Sequence, residues 1–306
     1  MSGPGNNSVV VWRILDGKPG HESQTLGLVN ALKRSLHSVD VYDIPAAGKG
    51  IALWYWLSAR FPLAAGLPDP DLIVGAGHST HLTLLAARRA RGGLAVVLMQ
   101  PSMPMGWFDL CIVPEHDGVT SGKGVLLTRG VLNPLSSFGV HHKNRGLILI
   151  GGPSSHFGWD GDLVVQQVKA IAEASPDISF TLTTSRRTPA DFVSLVSSAG
   201  IEEINVVPVD KTGPGWVAEK LAESSVAWVT EDSVSMVYES LTAGVEVGLL
   251  SVPEKSESRV SRGLSCLVKD GLVTDFVGWK EHGFVKSADM QFSESDRCAE
   301  WIVSKL

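Results

Sequence analysis

Residues 225–250 read SVAWVTEDSVSMVYESLTAGVEVGLL. The apolar run Ser225–Thr230 predicts a strand, Ser233–Thr242 a helix and Glu246–Leu250 a second strand. Elements alternating at this spacing form a βαβ unit, whose two strands are parallel. At the junction Glu231–Glu239 the first strand runs into small hydroxyl residues and then into the helix. The amides of a helix's first turn have no partner inside the helix, so together with the Ser233 and Ser235 hydroxyls they suit a phosphate. Glu239, one to two turns further in, could reach a ribose hydroxyl. Asp232 or Ser233 would serve equally well as a plain N-cap.

The same alternation extends in both directions. Upstream, strands are predicted at Val9–Leu15, Val39–Tyr42, Asp71–Val74, Leu94–Met99 and Leu110–Val113, with helices at Ser23–Leu36 and Thr80–Ala90. After a polar, basic stretch at His141–Gly146 the pattern restarts. Strands follow at Leu147–Ile150, Ile178–Thr183 and Glu203–Val207, with helices at Leu163–Ala174, Ala190–Ser198 and Val217–Ser224. The chain is therefore read as α/β, with two doubly wound parallel-sheet domains facing a cleft, residues 9–142 and 146–306. The last helix is a candidate to pack back on the first domain.

Composition agrees with a folded, enzyme-sized chain. Of 306 residues 44% are hydrophobic and 19% charged, which permits a real core. Domains of roughly 100–200 residues make two the natural count. A formal charge of −6 argues against a general nucleic-acid binder. Cys111, Cys266 and Cys298 lack metal or disulfide spacing, so buried thiols in a reducing, cytoplasmic compartment are expected. Met1–Ser8 has no basic or apolar stretch, so no signal peptide is expected.

Function is sought in the loops at strand C-termini. Gly151, Gly152 and Ser154 follow the first strand of the second half, where glycines admit close approach of a ligand. The loop is neither a P-loop nor the dinucleotide fingerprint. Ser185, Arg186 and Arg187 follow Ile178–Thr183, and arginine pairs with phosphate through a planar fork. Asp16, Lys18, His21 and Glu22 link the first strand to the first helix. Glu22 or His21 could take a proton from an acceptor hydroxyl. His78 and Ser79, and Glu115 and His116, lie on two further loops that could line the same side. No metal or cofactor is called for.

Ile51–Leu67, IALWYWLSARFPLAAGL, sets Trp54, Tyr55, Trp56 and Phe61 near the basic residues Lys49 and Arg60. That mixture is read as a buried helix or as peripheral contact with the inner face of the cytoplasmic membrane. It is too short to span a bilayer.

Six segments carry a resemblance: DGKPGHESQTLGL (Asp16–Leu28), GAGHST (Gly75–Thr80), FDLCIVPEHD (Phe108–Asp117), GGPSSHFGWD (Gly151–Asp160), TTSRRTP (Thr183–Pro189) and TEDSVSMVYESLTAG (Thr230–Gly244). In this order they resemble the plant mitochondrial-fission "elongated mitochondria" family and its bacterial relatives. The resemblance implies a Rossmann-like, glycosyltransferase-B fold, with a nucleotide-sugar donor on the C-terminal domain and an acceptor on the N-terminal one. It puts Gly151, Gly152, Ser185, Arg186, Ser233, Ser235 and Glu239 on the donor side. By analogy with transferases acting on lipid A precursors, it puts Glu22 at a base position. The long N-terminal extension of the plant forms is not seen here, so a bacterial branch is expected and a mitochondrial role is not carried over. The implied function is a metal-independent glycosyltransferase acting on a cell-envelope glycan or lipid. The alternatives are a non-catalytic adaptor on the same scaffold and a sugar-nucleotide epimerase or hydrolase.

Overall fold

The computed structural model describes residues 8–137, 139–201, 204–287 and 292–306. Its contacts divide the chain into two compact units. One holds the residues up to Pro134 together with Ser293–Leu306, and the other holds Leu135–Phe292.

In the first unit β1 (Val9–Leu15), β2 (Val39–Pro45), β3 (Leu72–Ala76), β4 (Leu94–Leu98), β5 (Leu110–Pro114) and β6 (Val125–Thr128) form one sheet in the order β2-β1-β3-β4-β5-β6. Neighbouring strands are parallel throughout. The inner strands β3, β4 and β5 are buried on both faces and read as continuous apolar runs. On one face Val11, Val74, Val96 and Ile112 pack with Leu28 and Leu32 of α1 (Pro19–Ser35) and with Cys298, Ala299 and Ile302 of α10 (Glu294–Val303). On the other, Trp12, Ile73, Val97 and Val113 pack with Leu84 and Ala87 of α3 (His81–Arg91) and with Phe61. The helix α2 (Lys49–Ser58) lies against α3.

The second unit contains β7 (His142–Leu149), β8 (Ser179–Thr183), β9 (Ile204–Val207), β10 (Ser224–Thr230), β11 (Glu246–Leu250) and β12 (Thr274–Asp275). Their order is β12-β11-β10-β7-β8-β9, again parallel. Between the strands run α4 (Gly161–Ala174), α5 (Phe192–Ser198), α6 (Trp216–Glu223), α7 (Val234–Ala243) and α8 (Arg259–Lys269), and α9 (Phe276–His282) follows β12. Counted within the unit, the order is 6-5-4-1-2-3. This is the doubly wound arrangement in which the chain first builds outward from β7 in one direction and then crosses back to build in the other.

Several sequence expectations are corrected. Helix α1 starts at Pro19, not Ser23, because proline is tolerated in the first turn, where its missing N–H costs nothing. His21 and Glu22 are therefore helical rather than part of a loop. His141–Gly146 does not serve as a linker: His142–Arg145 are the exposed, polar first half of β7, and their backbone pairs with β10 and β8. Cys266 is exposed on α8, whereas Cys111 and Cys298 are buried. Glu203, the expected start of β9, lies outside the described residues.

Ile302 sits near the end of the chain yet is fully buried in the first unit. Ile302→Ala is expected to cost about 2–4 kcal/mol of stability, read as a lower urea midpoint. An unchanged midpoint would show that α10 is not part of that core.

Candidate functional site

Strand order reverses at β7/β10 in the second unit, and the loops leaving these two strands diverge there. Thr230, the last residue of β10, accepts a hydrogen bond from the Gly151 amide at 2.7 Å. Asp232 Oδ2 accepts one from the Gly152 amide at 2.9 Å. Arg187, on the loop after β8, closes the group. Its guanidinium donates to Asp232 Oδ2 at 2.8 Å, to Ser233 Oγ at 3.0 Å and to the Gly152 carbonyl at 2.8 Å. Ser185 donates to the Gly151 carbonyl at 3.1 Å, and Thr188 donates to the same oxygen. Three loops thus become one polar knot. A Cβ on Gly151 would stand 2.2 Å from Ser233 Oγ, and one on Gly152 would stand 2.2 Å from the Arg187 carbonyl. Only glycine fits at either place.

Neither Asp232 nor Ser233 caps α7. Ser233 holds the N-cap position without a side-chain cap bond, because its hydroxyl turns to Arg187 and Asp232. The Val234 and Ser235 amides have no acceptor among the described residues, so the positive end of the helix is left open. The Asp232 side chain is fully buried, and its Oδ1 has no partner among the described residues. Ser235 is exposed beside it. Arg186 is exposed and makes no hydrogen bond or ion pair among the described residues, whereas Arg187 ties the loops together through Asp232. Ser154 folds its own turn, accepting from the amides of His156 and Phe157. Glu239 is half-buried on α7 without a hydrogen-bond partner among the described residues, and burial pushes it up to about 7. Glu231 is raised to about 7 as well. Burial is the largest cause, a hydrogen bond from the Val252 amide opposes it, and the charges of Asp275, Glu254 and Asp232 add to it.

The first unit reverses its strand order at β1/β3, and a second cluster stands there. Asp16 Oδ2 receives Ser79 Oγ at 2.6 Å and His21 Nδ1 at 2.9 Å, while Oδ1 receives the Lys18 amide at 3.2 Å. Burial works against the Asp16 charge, but the hydrogen bonds from Ser79, His21 and Lys18 outweigh it and hold the carboxyl below its usual range. An ionised carboxylate only accepts, so His21 Nδ1 must carry the proton. In the neutral ring, Nε2 then presents a lone pair. The ring lies over Gly77, where a Cβ would meet His21 Cε1 at 2.2 Å. Glu22 reaches back to the Gly17 amide at 3.0 Å and closes the loop. Lys18 is the exposed N-cap position of α1, and His78 is exposed. Glu115 and His116 form part of a short 3-10 helix after β5, and no contact among the described residues joins them to Asp16.

Three contributors escaped the sequence reading. Thr230 ends β10 and Thr188 stands in the loop after β8, and nothing but the fold reveals their bonds. Met99, at the end of β4, adopts φ 69, a strained conformation for a non-glycine residue, and its sulfur accepts from Gln24 of α1. Spacing gives no sign of such strain.

The model of the family described as Mitochondrial fission ELM1 matches residues 19–306. The chain belongs to that family. A relative from Rickettsia prowazekii, itself uncharacterised, is 22% identical, over 76% of this chain and 81% of its own length. Among solved structures, the UDP-GlcNAc 2-epimerase of Neisseria meningitidis bound to UDP-GlcNAc is similar at a TM-score of 0.58 and 9% identity, covering 97% of this chain and 99% of that one. MurG of Acinetobacter baumannii is similar at a TM-score of 0.52 and 12% identity, covering 97% and 98%. Each unit of this ELM1-family chain is thus a Rossmann-like domain, of the kind paired in glycosyltransferase-B proteins and related epimerases.

Arg187→Ala strands the buried Asp232 carboxylate and is expected to cost about 2–4 kcal/mol, whereas Arg186→Ala should stay within about 0.5 kcal/mol. Chemical denaturation of the two variants checks this, and equal losses would remove Arg187 from the knot. Glu239 yields a pH test. Below about pH 4.5 it is protonated both folded and unfolded. Between about 4.5 and 7 the unfolded chain has released the proton while the folded one retains it, so stability falls by up to about 3 kcal/mol. Glu239→Gln should match the parent at acid pH and exceed it by that margin near pH 8. A constant difference across pH would refute the burial effect.

Proposed function

We propose that this protein is a glycosyltransferase that moves a sugar from a nucleotide-sugar donor to a hydroxyl of a cell-envelope glycan or lipid. The observation that carries it is the Asp16–His21 pair. A buried, ionised carboxylate fixes the imidazole tautomer so that Nε2 is free to take a proton, the arrangement a general base needs. His21 holds this role ahead of Glu22 because Asp16 fixes its tautomer, while Glu22 Oε1 accepts from the Gly17 amide and braces the loop.

The donor belongs on the second unit. Its diphosphate would lie at the open first turn of α7 near Arg187, and Glu239 would take the ribose. The solved relative with UDP-GlcNAc bound supports a nucleotide sugar as the ligand class. In the reaction, His21 Nε2 accepts the acceptor hydroxyl's proton and the oxygen attacks the anomeric carbon. The bond from that carbon to the diphosphate oxygen breaks, and the nucleoside diphosphate leaves. Negative charge grows on the leaving oxygen, where the α7 amides and Arg187 oppose it. The acceptor class favours a place at the cytoplasmic face of a membrane.

A panel of UDP-, GDP-, ADP- and dTDP-sugars at millimolar concentration tests the donor site. One member should raise the melting temperature, since a ligand at 100 times its Kd adds about 2.7 kcal/mol. His21→Gln should keep that shift and lose transfer. Failure of every sugar to shift melting sinks the donor site. Conversion of the donor to an epimer without acceptor, seen by mass spectrometry, replaces the transferase with an epimerase.

A further inference from the structure

Helix α2 is apolar around its whole circumference, a pattern normally found only in buried helices. Here one side alone is covered. Ala52 is buried and Tyr55 and Trp56 are half-buried, at the spacing that faces α3. On the outer side Ile51 is 55% exposed, Leu53 45%, Trp54 52% and Leu57 62%, where a surface helix would carry charge. Leu63 and Trp107 add two more exposed apolar side chains.

Charge marks the same face. No acidic residue occurs from Ile44 to Pro68. Lys49 and Arg60 flank the helix, and neither has a carboxylate partner among the described residues. Arg89 of α3 lies over the Trp56 ring at 5.0 Å and is likewise unpaired, whereas Arg88 is spent on Asp109. Trp56, Leu85, Arg88, Arg89, Gly106 and Trp107 line a cavity of about 400 Å³ beside the helix. Apolar side chains that project outward, aromatic rings at the edge and uncompensated cations together match the boundary of an anionic bilayer.

We propose that α2 and its Arg89–Trp56–Trp107 cavity form a docking face for an anionic phospholipid membrane. Ile51, Leu53, Trp54 and Leu57 enter the acyl boundary, Lys49 and Arg60 meet the phosphate layer, and the cavity receives a headgroup phosphate against Arg89. The face lies wholly on the first unit and is independent of the donor site, so either can fail without the other.

The test is co-sedimentation of the full chain with vesicles of phosphatidylglycerol, of phosphatidylcholine, and of an equimolar mixture. The parent should bind in order of phosphatidylglycerol content and weaken with added salt. Trp54→Ser/Leu57→Gln and, separately, Lys49→Glu/Arg60→Glu should each lower partitioning roughly tenfold or more at unchanged melting temperature. Phe284→Ser, at an exposed apolar residue of the second unit, should bind like the parent. The proposal is overturned if phosphatidylglycerol vesicles leave the parent in the supernatant, if neutral vesicles bind it equally, or if both double variants bind as it does. It is also overturned if Trp54→Ser/Leu57→Gln turns a dimer into a monomer in analytical ultracentrifugation. That result would assign the face to a second copy of the chain.

Discussion

A parallel sheet laid down outward from one strand, first to one side and then to the other, cannot cover the carboxyl ends of its central pair. The helices that follow those two strands depart in opposite directions and leave a crevice between their starts. Both units are built this way, and both put their densest polar clusters at that crevice. In the second unit it is bridged by Arg187 to Asp232, with the Gly151 and Gly152 amides tied in behind. In the first it is bridged by Asp16 to Ser79 and His21. Each cluster centres on one buried carboxylate. In the second it stiffens a helix start, and in the first it sets the protonation of a ring.

The two acidic side chains near α7 behave differently for a physical reason. Asp232 is buried but has a guanidinium and an amide against it, so its charge is compensated. Glu239 is buried with no such partner among the described residues, so the proton is its cheapest neutraliser. A ligand that brings hydrogen-bond donors to Glu239 would favour its charged form.

Much of this was legible from the chain alone. Val9–Leu15 and Glu246–Leu250 are strands over the residues their apolar runs predict, since burial on both faces demands such runs. All six loops or junctions singled out do follow strands, but the side-chain geometry within them could not be read. Arg186 and Arg187 are adjacent and chemically alike, and only the fold turns one inward. Pro19-Gly20 looks like a turn until the helix that starts there is seen. His142–Arg145 looks like a linker because strand pairing is a property of the backbone, to which polar side chains give no clue. The elements β6, α8, β12 and α9 were not marked out, and α10 was expected only as a last helix without bounds: β6 and β12 are short, and the faces the helices bury are set by distant sequence.

The return of α10 to the first unit also orders events during synthesis. The first unit's strands are made before the second unit, but the apolar groups of α1 that face Cys298, Ala299 and Ile302 stay uncovered until α10 follows. The second unit is an insertion that is complete before its host. Until α10 is made, the first unit carries an open hydrophobic seam, the kind of surface that chaperones cover on the ribosome.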